Sequence, residues 1–346
     1  MFENIIDDSL VKGASALVRD AERIFLCGHV SPDGDAVGST LAFFDYLQSL
    51  GKQVTVAYPN SYPDFLAALP HAGEALFYDK DKDKVDESIA SADLICLMDF
   101  NAFNRLEAMA ESVQNASARR LMVDHHLAPT AECDVVVSYP SMSSTCELLF
   151  YLLYNWGAFD KMSLACATAI YCGMMTDTGC FSYNCNRPEV FYAIGQLMTR
   201  GIDRDAVYNE IFRNYTVWRY RLLGYVLYAK MEVLKNENAA YYTLDRVEQK
   251  KFHYIKGDTE GLVNMPLSIK GVRLSASFRE DTEKEAIRVS LRSIGDFPCN
   301  KMAEEFFNGG GHKNASGGEL HCSLEEAVAI YKKAVLKYHS LLVTKK

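Results

Sequence analysis

The chain has 346 residues, 49% of them apolar and 23% charged, with a formal net charge of −9 at neutral pH. That length accommodates two globular domains, no apolar run is long enough to cross a bilayer, and the acidic balance argues against a protein that coats long nucleic acid. The 10 cysteines are scattered through apolar segments without a Cys-x-x-Cys pair, which argues against disulfide scaffolds and zinc ribbons.

Met1-Phe2-Glu3-Asn4 lacks the basic start and apolar core of a secretory signal, so a cytoplasmic location is expected. Arg23–Cys27 reads as the first strand, and it runs into His29-Val30-Ser31-Pro32-Asp33-Gly34-Asp35. Gly34 between the two carboxylates predicts a tight turn. Gly38 and Ser39 are then expected to open a helix whose amides favour an anion. Ala36–Leu50 reads as that helix, closed by Gly51. Val54–Ala57 is the next strand. The charged run Asp79–Lys84 reads as a solvated loop. Leu94–Met98 is a strand ending on Asp99, and Asn104–Ser117 a helix. Leu121–Val123 is a strand ending on Asp124-His125-His126, and Val135–Val137 follows. Cys146–Asn155 and Leu164–Met174 read as buried helices, with Asp177 just beyond the second.

Strands alternating with helices predict an α/β fold with a doubly wound, mostly parallel sheet. Residues 203–236 carry helical spacing with one glycine and no proline, which predicts a connecting helix or helix pair. Beyond residue 239 the pattern changes. Tyr241–Leu244, Leu274–Phe278 and Ile287–Leu291 read as strands of a mixed sheet, and Met302–Phe307 and Leu324–Leu342 as helices. The expected layout is a domain over 1–195, a helical linker over 196–238, and a smaller α/β domain over 239–346. Residues 1–239 hold 19 Lys and Arg against 31 Asp and Glu, and residues 240–346 hold 17 against 14. The first part thus suits cations, and the second could hold an anion.

His29, Asp33, Asp35, Asp99, His125 and Asp177 form the chemical core of the sequence. Taken singly, each has a plainer explanation: an aspartate after a strand usually caps a helix or turn. Together, three clusters stand at strand ends, where an open α/β sheet binds its ligands. Imidazoles mixed with several carboxylates suit Mn²⁺, Mg²⁺ or Fe²⁺ better than a thiolate site.

This set, with the triplet Asp124-His125-His126, resembles the DHH phosphoesterase superfamily. The run Asn308-Gly309-Gly310-Gly311-His312-Lys313-Asn314-Ala315-Ser316-Gly317-Gly318 resembles the glycine-rich signature of the DHH-associated C-terminal domain. The layout is similar to the branch of bifunctional oligoribonucleases and pAp phosphatases (pAp is adenosine 3′,5′-bisphosphate). The resemblance implies two divalent ions, Mn²⁺ first among candidates. His29, Asp33 and Asp99 would hold one ion. Asp35, Asp99, His125 and Asp177 would hold the other, with Asp99 bridging. It also implies that Asp124 orients the histidines and that His126 lies beside the substrate phosphate and serves the leaving oxygen. Paired divalent ions acidify water and offset charge on phosphoryl oxygens, so no serine or cysteine nucleophile is required.

For the second domain the expected substrate contacts are Gly309, Gly310 and Gly311, whose amides can approach a phosphate, with His312, Asn314 and Ser316 beside them. Arg273, Arg279, Arg288 and Arg292 are candidate phosphate clamps, though each is equally an ordinary exposed arginine. The expected activity is hydrolysis of short oligoribonucleotides to mononucleotides and removal of the 3′-phosphate of pAp. The alternatives are a linear or cyclic dinucleotide phosphodiesterase and an exopolyphosphatase. The expected partners are short RNA and small nucleotides, not long nucleic acid and not a membrane; a homodimer is left open.

Overall fold

The computed structural model describes residues 5–343; Met1–Asn4, on which the cytoplasmic expectation leans, lies outside the described residues. The chain divides into two compact units, the first reaching Asn214 and the second beginning at Tyr215. The division falls inside the stretch expected as a linker.

The first unit is built on six strands: β1 (Arg23–Cys27), β2 (Gln53–Tyr58), β3 (Leu76–Phe77), β4 (Leu94–Met98), β5 (Arg119–Asp124) and β6 (Val135–Ser138). All neighbours are parallel, in the order β3-β2-β1-β4-β5-β6. Such a sheet is covered on both faces, and its strands read as continuous apolar runs. Ile24, Leu26, Leu94, Cys96, Met98, Leu121 and Val123 face one core. Phe25, Cys27, Ile95, Leu97 and Met122 face the other. The chain reverses its winding between β1 and β4, the point where doubly wound sheets bind ligands. Cys27 pairs with Leu97, and Met98 with Val123. The segments after β1, β4 and β5 therefore leave the same edge side by side.

One face carries α1 (Asp8–Asp20), α2 (Gly34–Ser49), α5 (Thr145–Asn155), α6 (Leu164–Asp177) and α7 (Pro188–Met198); the other carries α3 (Tyr78–Ser91) and α4 (Ala110–Asn115). Helix α2 begins at Gly34 with Asp33 as its cap, so Gly38 and Ser39 do not open it. They lie a turn inside, and a Cβ on Gly38 would stand 2.6 Å from the Ala169 carbonyl oxygen of α6. Gly38 is there for close helix packing, and Gly34 likewise, because a Cβ would run into Thr176. The run Asp79–Lys84 is helical rather than a loop, with a kink at Asp81. Acids occupy its first turn, where the helix dipole favours them, and Lys82 pairs with Asp86 one turn on. The stretch expected as a helix over 104–117 is a 3-10 segment, Phe103–Met109, kinked at Glu107 and followed by α4.

Helix α8 (Arg204–Phe212) closes the first unit and α9 (Val217–Tyr225) opens the second, capped by Asp203 and Thr216 respectively. Residues 232–234, expected to be helical, form an edge strand, β7 (Glu232–Leu234). The other strands of this unit are β8 (Ala239–Leu244), β9 (Leu274–Glu280), β10 (Ile287–Ser293), β11 (Gly310–His312) and β12 (Ala315–Leu320). Their order is β11-β12-β10-β9-β8-β7, with β8 and β9 parallel and the rest antiparallel. Helix α10 (Arg246–Lys251) has a full capping box from Asp245 and Glu248. Helices α11 (Cys299–Phe306) and α12 (Leu324–Lys337) cover one face through Phe278, Val289, Leu291, Met302 and Tyr331. The helix expected to run to Leu342 breaks at Tyr338, before α13 (His339–Val343). On the opposite face Tyr242 and Leu244 meet Leu222 and Val226 at the end of α9. Among the described residues no helix is long and apolar enough to cross a membrane.

Candidate metal centre

The loop after β1 brings in His29. Its Nδ1 sits 2.8 Å from the Val30 carbonyl oxygen, a contact that places the proton on Nδ1 and directs Nε2 inward as a lone-pair donor. Nε2 lies 3.9 Å from Asp33 Oδ1 and 3.6 Å from Asp99 Oδ2. Asp33 is fixed as the cap of α2, accepting from the amides of Asp35 and Ala36 at 3.0 and 3.1 Å.

Asp35, 1% exposed, sits in the first turn of α2 and is gripped across the sheet edge by the start of α5. Its Oδ2 accepts from the Thr145 amide at 2.6 Å and its Oδ1 from the Cys146 amide at 2.9 Å. Asp99 follows β4 with φ 65°, a left-handed conformation that aspartate tolerates better than most residues. The Thr145 hydroxyl donates to its Oδ1 at 2.8 Å.

His125 Nδ1 lies 3.3 Å from the Met142 carbonyl oxygen. Its Nε2 is 3.6 Å from Asp99 Oδ1, 3.6 Å from Asp177 Oδ2 and 3.8 Å from Asp35 Oδ2. Asp177 is the last residue of α6. His126 turns the other way, its Nδ1 2.7 Å from Asp124 Oδ1 and 3.8 Å from Asp99 Oδ1. The donor groups so formed include His29/Asp33/Asp99 and Asp35/His125/Asp177, and Asp99, Asp124 and His126 also cluster closely enough to share an ion. Asp99 turns Oδ2 to the first histidine and Oδ1 to the second. The separations of 3.6–3.9 Å are too long for hydrogen bonds and fit one ion held by bonds of about 2 Å to each donor.

The electrostatics ask for cations. Burial, then repulsion from Asp35, Asp33 and Asp177, pushes the Asp99 carboxyl well above its ordinary range. Burial also raises Asp35 despite His125 beside it. Burial lowers His29 to about 4, outweighing the pull of Asp33. At His125 burial also acts downward, but Asp177 and Asp35 outweigh it and raise the imidazole. Buried carboxylates in this number are costly without compensating positive charge. Oxygen donors with two imidazoles match hard divalent ions, so the residues fit the metals implied for them. The nearby buried thiols are held protonated; burial lifts Cys172 to about 12.

Thr145 was not singled out by sequence, although Ser144-Thr145-Cys146-Glu147 has the form of a helix start. The Ser144 hydroxyl caps α5 through the Glu147 amide at 2.9 Å. Glu147 itself turns away, accepting from the Ser143 amide at 2.6 Å and pairing with Arg187 at 3.1 Å.

In the second unit, strand register sorts the expected substrate residues. Leu291 and Val289 face the core, so Ser290 and Arg292 face away. Arg292 is in line with Ala315 and His312, and Ser290 with Gly317 and Gly310. A Cβ on Gly310 would meet nothing within 4 Å, whereas one on Gly309 would collide with the Gly317 carbonyl and one on Gly311 would stand 2.7 Å from the Ala315 carbonyl. Gly309 and Gly311 thus serve the hairpin, and only Gly310 leaves backbone open. Ser316 and Asn314 also depart from expectation. Ser316 is buried and donates to the His312 carbonyl at 2.8 Å. Asn314 donates to Ser293 Oγ and to the carbonyls of Gly295 and Phe297. Arg288 joins Asp281 at 2.6 Å to Glu319 at 2.9 Å, and Arg273 donates to the carbonyls of Leu341 and Leu342 at 2.9 and 3.2 Å. Arg279 lies 5.1 Å over the Tyr254 ring, and Arg292 bonds the Leu291 carbonyl at 2.9 Å.

Comparison with known proteins agrees with this architecture. The profile of the DHH family N-terminal domain matches residues 23–174, and that of the DHHA1 domain matches residues 236–337. A solved structure described as an exopolyphosphatase-related protein from Bacteroides fragilis is 46% identical, covers 99% of both chains and superposes with a TM-score of 0.93. The bifunctional oligoribonuclease and PAP phosphatase NrnA of Thermus thermophilus is 27% identical over 86% of this chain and 84% of its own length. Its Bacillus subtilis namesake is 26% identical over 88% and 91%. The chain belongs to the DHH family, with a DHH domain followed by a DHHA1 domain.

Proposed function

We propose that this DHH phosphoesterase uses two divalent ions to hydrolyse short oligoribonucleotides to mononucleotides and to remove the 3′-phosphate of pAp. One observation carries the two-ion part: the carboxylate of Asp99 offers one oxygen to the His29 group and the other to the His125 group. His29, Asp33 and Asp99 would hold one ion, and Asp35, Asp99, His125 and Asp177 the other, with Mn²⁺ favoured over Mg²⁺ or Fe²⁺. Bound there, such ions supply Lewis-acid activation of a phosphoryl group and of the attacking water. Asp124 fixes the His126 ring from Nδ1, so Nε2 is the atom to give a hydrogen bond or proton to the leaving oxygen. His312, Arg292, Arg279 and the backbone at Gly310 would hold the part of the substrate that is not cut. The substrate assignment is supported by the two relatives named oligoribonuclease and PAP phosphatase. The setting proposed is cytoplasmic.

The description of the Bacteroides fragilis relative favours a second reading, polyphosphate hydrolysis. The excess of 31 acids over 19 bases in residues 1–239 speaks against a long polyanion as the main substrate. The test sets the purified protein with Mn²⁺ against pAp, labelled di- to pentanucleotides, a cyclic dinucleotide and polyphosphate in parallel. Turnover of pAp and di- to pentanucleotides well above the other two is expected. Preference for polyphosphate or for the cyclic dinucleotide would overturn the proposal.

A further inference from the structure

Helix α9 turns an unusual surface to solvent. Val217 is 59% exposed, Tyr220 59% and Tyr228 94%. With Arg221 and Gly224, also exposed, Val217 and Tyr220 fall at helical spacing on the face of α9 opposite the buried Arg219 and Leu222, and Tyr228 follows in the π-helical turn Val226–Lys230. Single exposed apolar side chains are ordinary, but a contiguous group marks an interaction site.

The flank of this face is aromatic and cationic. Trp218 and Tyr225, seven residues apart on α9, pack against the residues that follow α10: the Trp218 and His253 ring centres are 4.4 Å apart, and those of Tyr225 and Phe252 4.9 Å. The Arg221 guanidinium lies 4.7 Å over the Trp218 ring. The Lys251 ammonium lies 5.6 Å over both Tyr225 and Phe252. The acids around the ledge are engaged locally. Asp245 caps α10, Glu248 pairs with Lys230 at 2.7 Å, and Asp258 is buried, accepting from the Ile255 amide at 3.0 Å. No carboxylate pairs with Arg221 or Lys251 among the described residues.

We propose that this ledge of α9 and α10 binds extended single-stranded RNA, bases stacking on the exposed Tyr220 and Tyr228 and phosphates meeting Lys251 and the Arg221 guanidinium that lies over Trp218. Every base has a face that stacks on an aromatic ring or a guanidinium plane. Cations at the ring edges supply the sequence-independent attraction to phosphate. A second copy of the chain is the poorer occupant. A twofold contact would bury Arg221 and Lys251 of both copies in one isologous patch, with no free carboxylate on the ledge to offset them. The inference rests on the oligoribonuclease reading and adds to it a contact for RNA made within the second unit.

The test uses the full chain in EDTA, so that binding is read without cleavage, with labelled single-stranded RNA of two to eight nucleotides. Affinity is expected to rise with length beyond three nucleotides. The double variant Tyr220→Ser, Tyr228→Ser should lose roughly tenfold on the longer RNAs and nothing on the dinucleotide. Arg221→Gln should flatten the salt dependence by about 0.7 in log–log slope. The chain has 2 tryptophans, and Trp156 donates its ring N–H to the Val11 carbonyl in the first unit. RNA should therefore quench emission chiefly through Trp218, and Trp218→Phe should abolish the quench while keeping affinity within about threefold. Length-independent binding, unchanged binding by the tyrosine variant, or a tyrosine-dependent dimer in sedimentation with RNA binding intact would each overturn the ledge. Dinucleotide hydrolysis with Mn²⁺, run on the same preparations, reports the catalytic reading separately. Its absence with the ledge intact would remove that reading alone.

Discussion

Asp124 Oδ1 sits 2.7 Å from His126 Nδ1, and Asp124 is wholly buried at the end of β5. Burial acts to raise this carboxyl, but the bond from His126 outweighs it and holds the group below its ordinary range. On the proposed reading the pair fixes one histidine of the adjacent two for work other than holding an ion. His126→Ala and Asp124→Asn should therefore keep the metal content of the purified protein while kcat falls about 10²-fold or more. His125→Ala should instead lose metal. Elemental analysis beside steady-state kinetics separates the two, and equal metal loss in all three variants would refute the assignment.

Asp99 is expected to show opposite effects on stability and on activity. Its burial and the carboxylates around it disfavour the charge, so Asp99→Asn should raise the Tm of metal-free protein, by about 2–4 °C for each kcal/mol of repulsion relieved. Asparagine also tolerates the left-handed backbone at this position. The same variant should bind less Mn²⁺ and lose turnover on every substrate. Thermal melts in EDTA and with Mn²⁺ read the two signs; near-normal activity in a folded, metal-loaded variant would exclude the bridging role.

Thr145 joins two of the carboxylates, by amide to Asp35 and by hydroxyl to Asp99. Thr145→Val keeps the amide and the shape but removes the hydroxyl. A fall of about 10–100-fold in Mn²⁺ affinity is expected, with Thr145→Ser close to wild type. Calorimetric Mn²⁺ titration is the measurement. Equal losses in valine and serine would mean that packing, not the hydroxyl, matters here.

Arg288 and Asp281 give a pH signature that belongs to the second unit. Partial burial acts to raise Asp281, but the bond from Arg288 and the amides of Glu283 and Lys284 lower it to about 2 from an ordinary 3.8. A carboxyl depressed in the folded state adds stability that is fully present above its unfolded value and lost as pH falls through its folded value. The Tm advantage of wild type over Asp281→Asn should therefore be constant above pH 5 and shrink between about pH 4 and pH 2. Arg288→Ala should lower Tm yet leave KM for pAp within about twofold, because its charge is already spent on Asp281 and Glu319.

His312 is the complementary case, a residue expected to act on the substrate. His312→Ala should impair pAp and short RNA about tenfold or more, the scale of a hydrogen bond to a charged group. Binding energy at such a remote point can appear in kcat as well as in KM. Bis-p-nitrophenyl phosphate, which has no nucleotide to hold, should be hydrolysed almost as before. An equal fall on all three substrates would place His312 in the chemistry itself.

Much of the first unit was legible because buried parallel strands leave little choice of residue. Leu94–Met98 has no polar side chain, so the aspartate that follows had to stand at the sheet edge. Thr145 was not legible in the same way, because its meaning depends on α5 starting opposite α2, a relation of residues 110 apart. Asp79–Lys84 misled because a run of alternating charge makes a loop or an exposed helix with equal ease, and only the Lys82–Asp86 pairing decides. In the glycine-rich run, sequence gave the residue types but not the side of the hairpin. Register turned Ser316 inward and His312 outward.

Asp35 and Asp177 ride on two different helices, and the distance between those helices is gauged at Gly38, where α2 rests on the Ala169 carbonyl of α6. A single methyl there would wedge the helices apart and carry the two acids with them, although alanine has no charge and no reactivity. The tolerance of the ion-holding groups to error is thus set by the thickness of a side chain that is not there. Some of the most damaging substitutions in this chain would add nothing but one carbon atom.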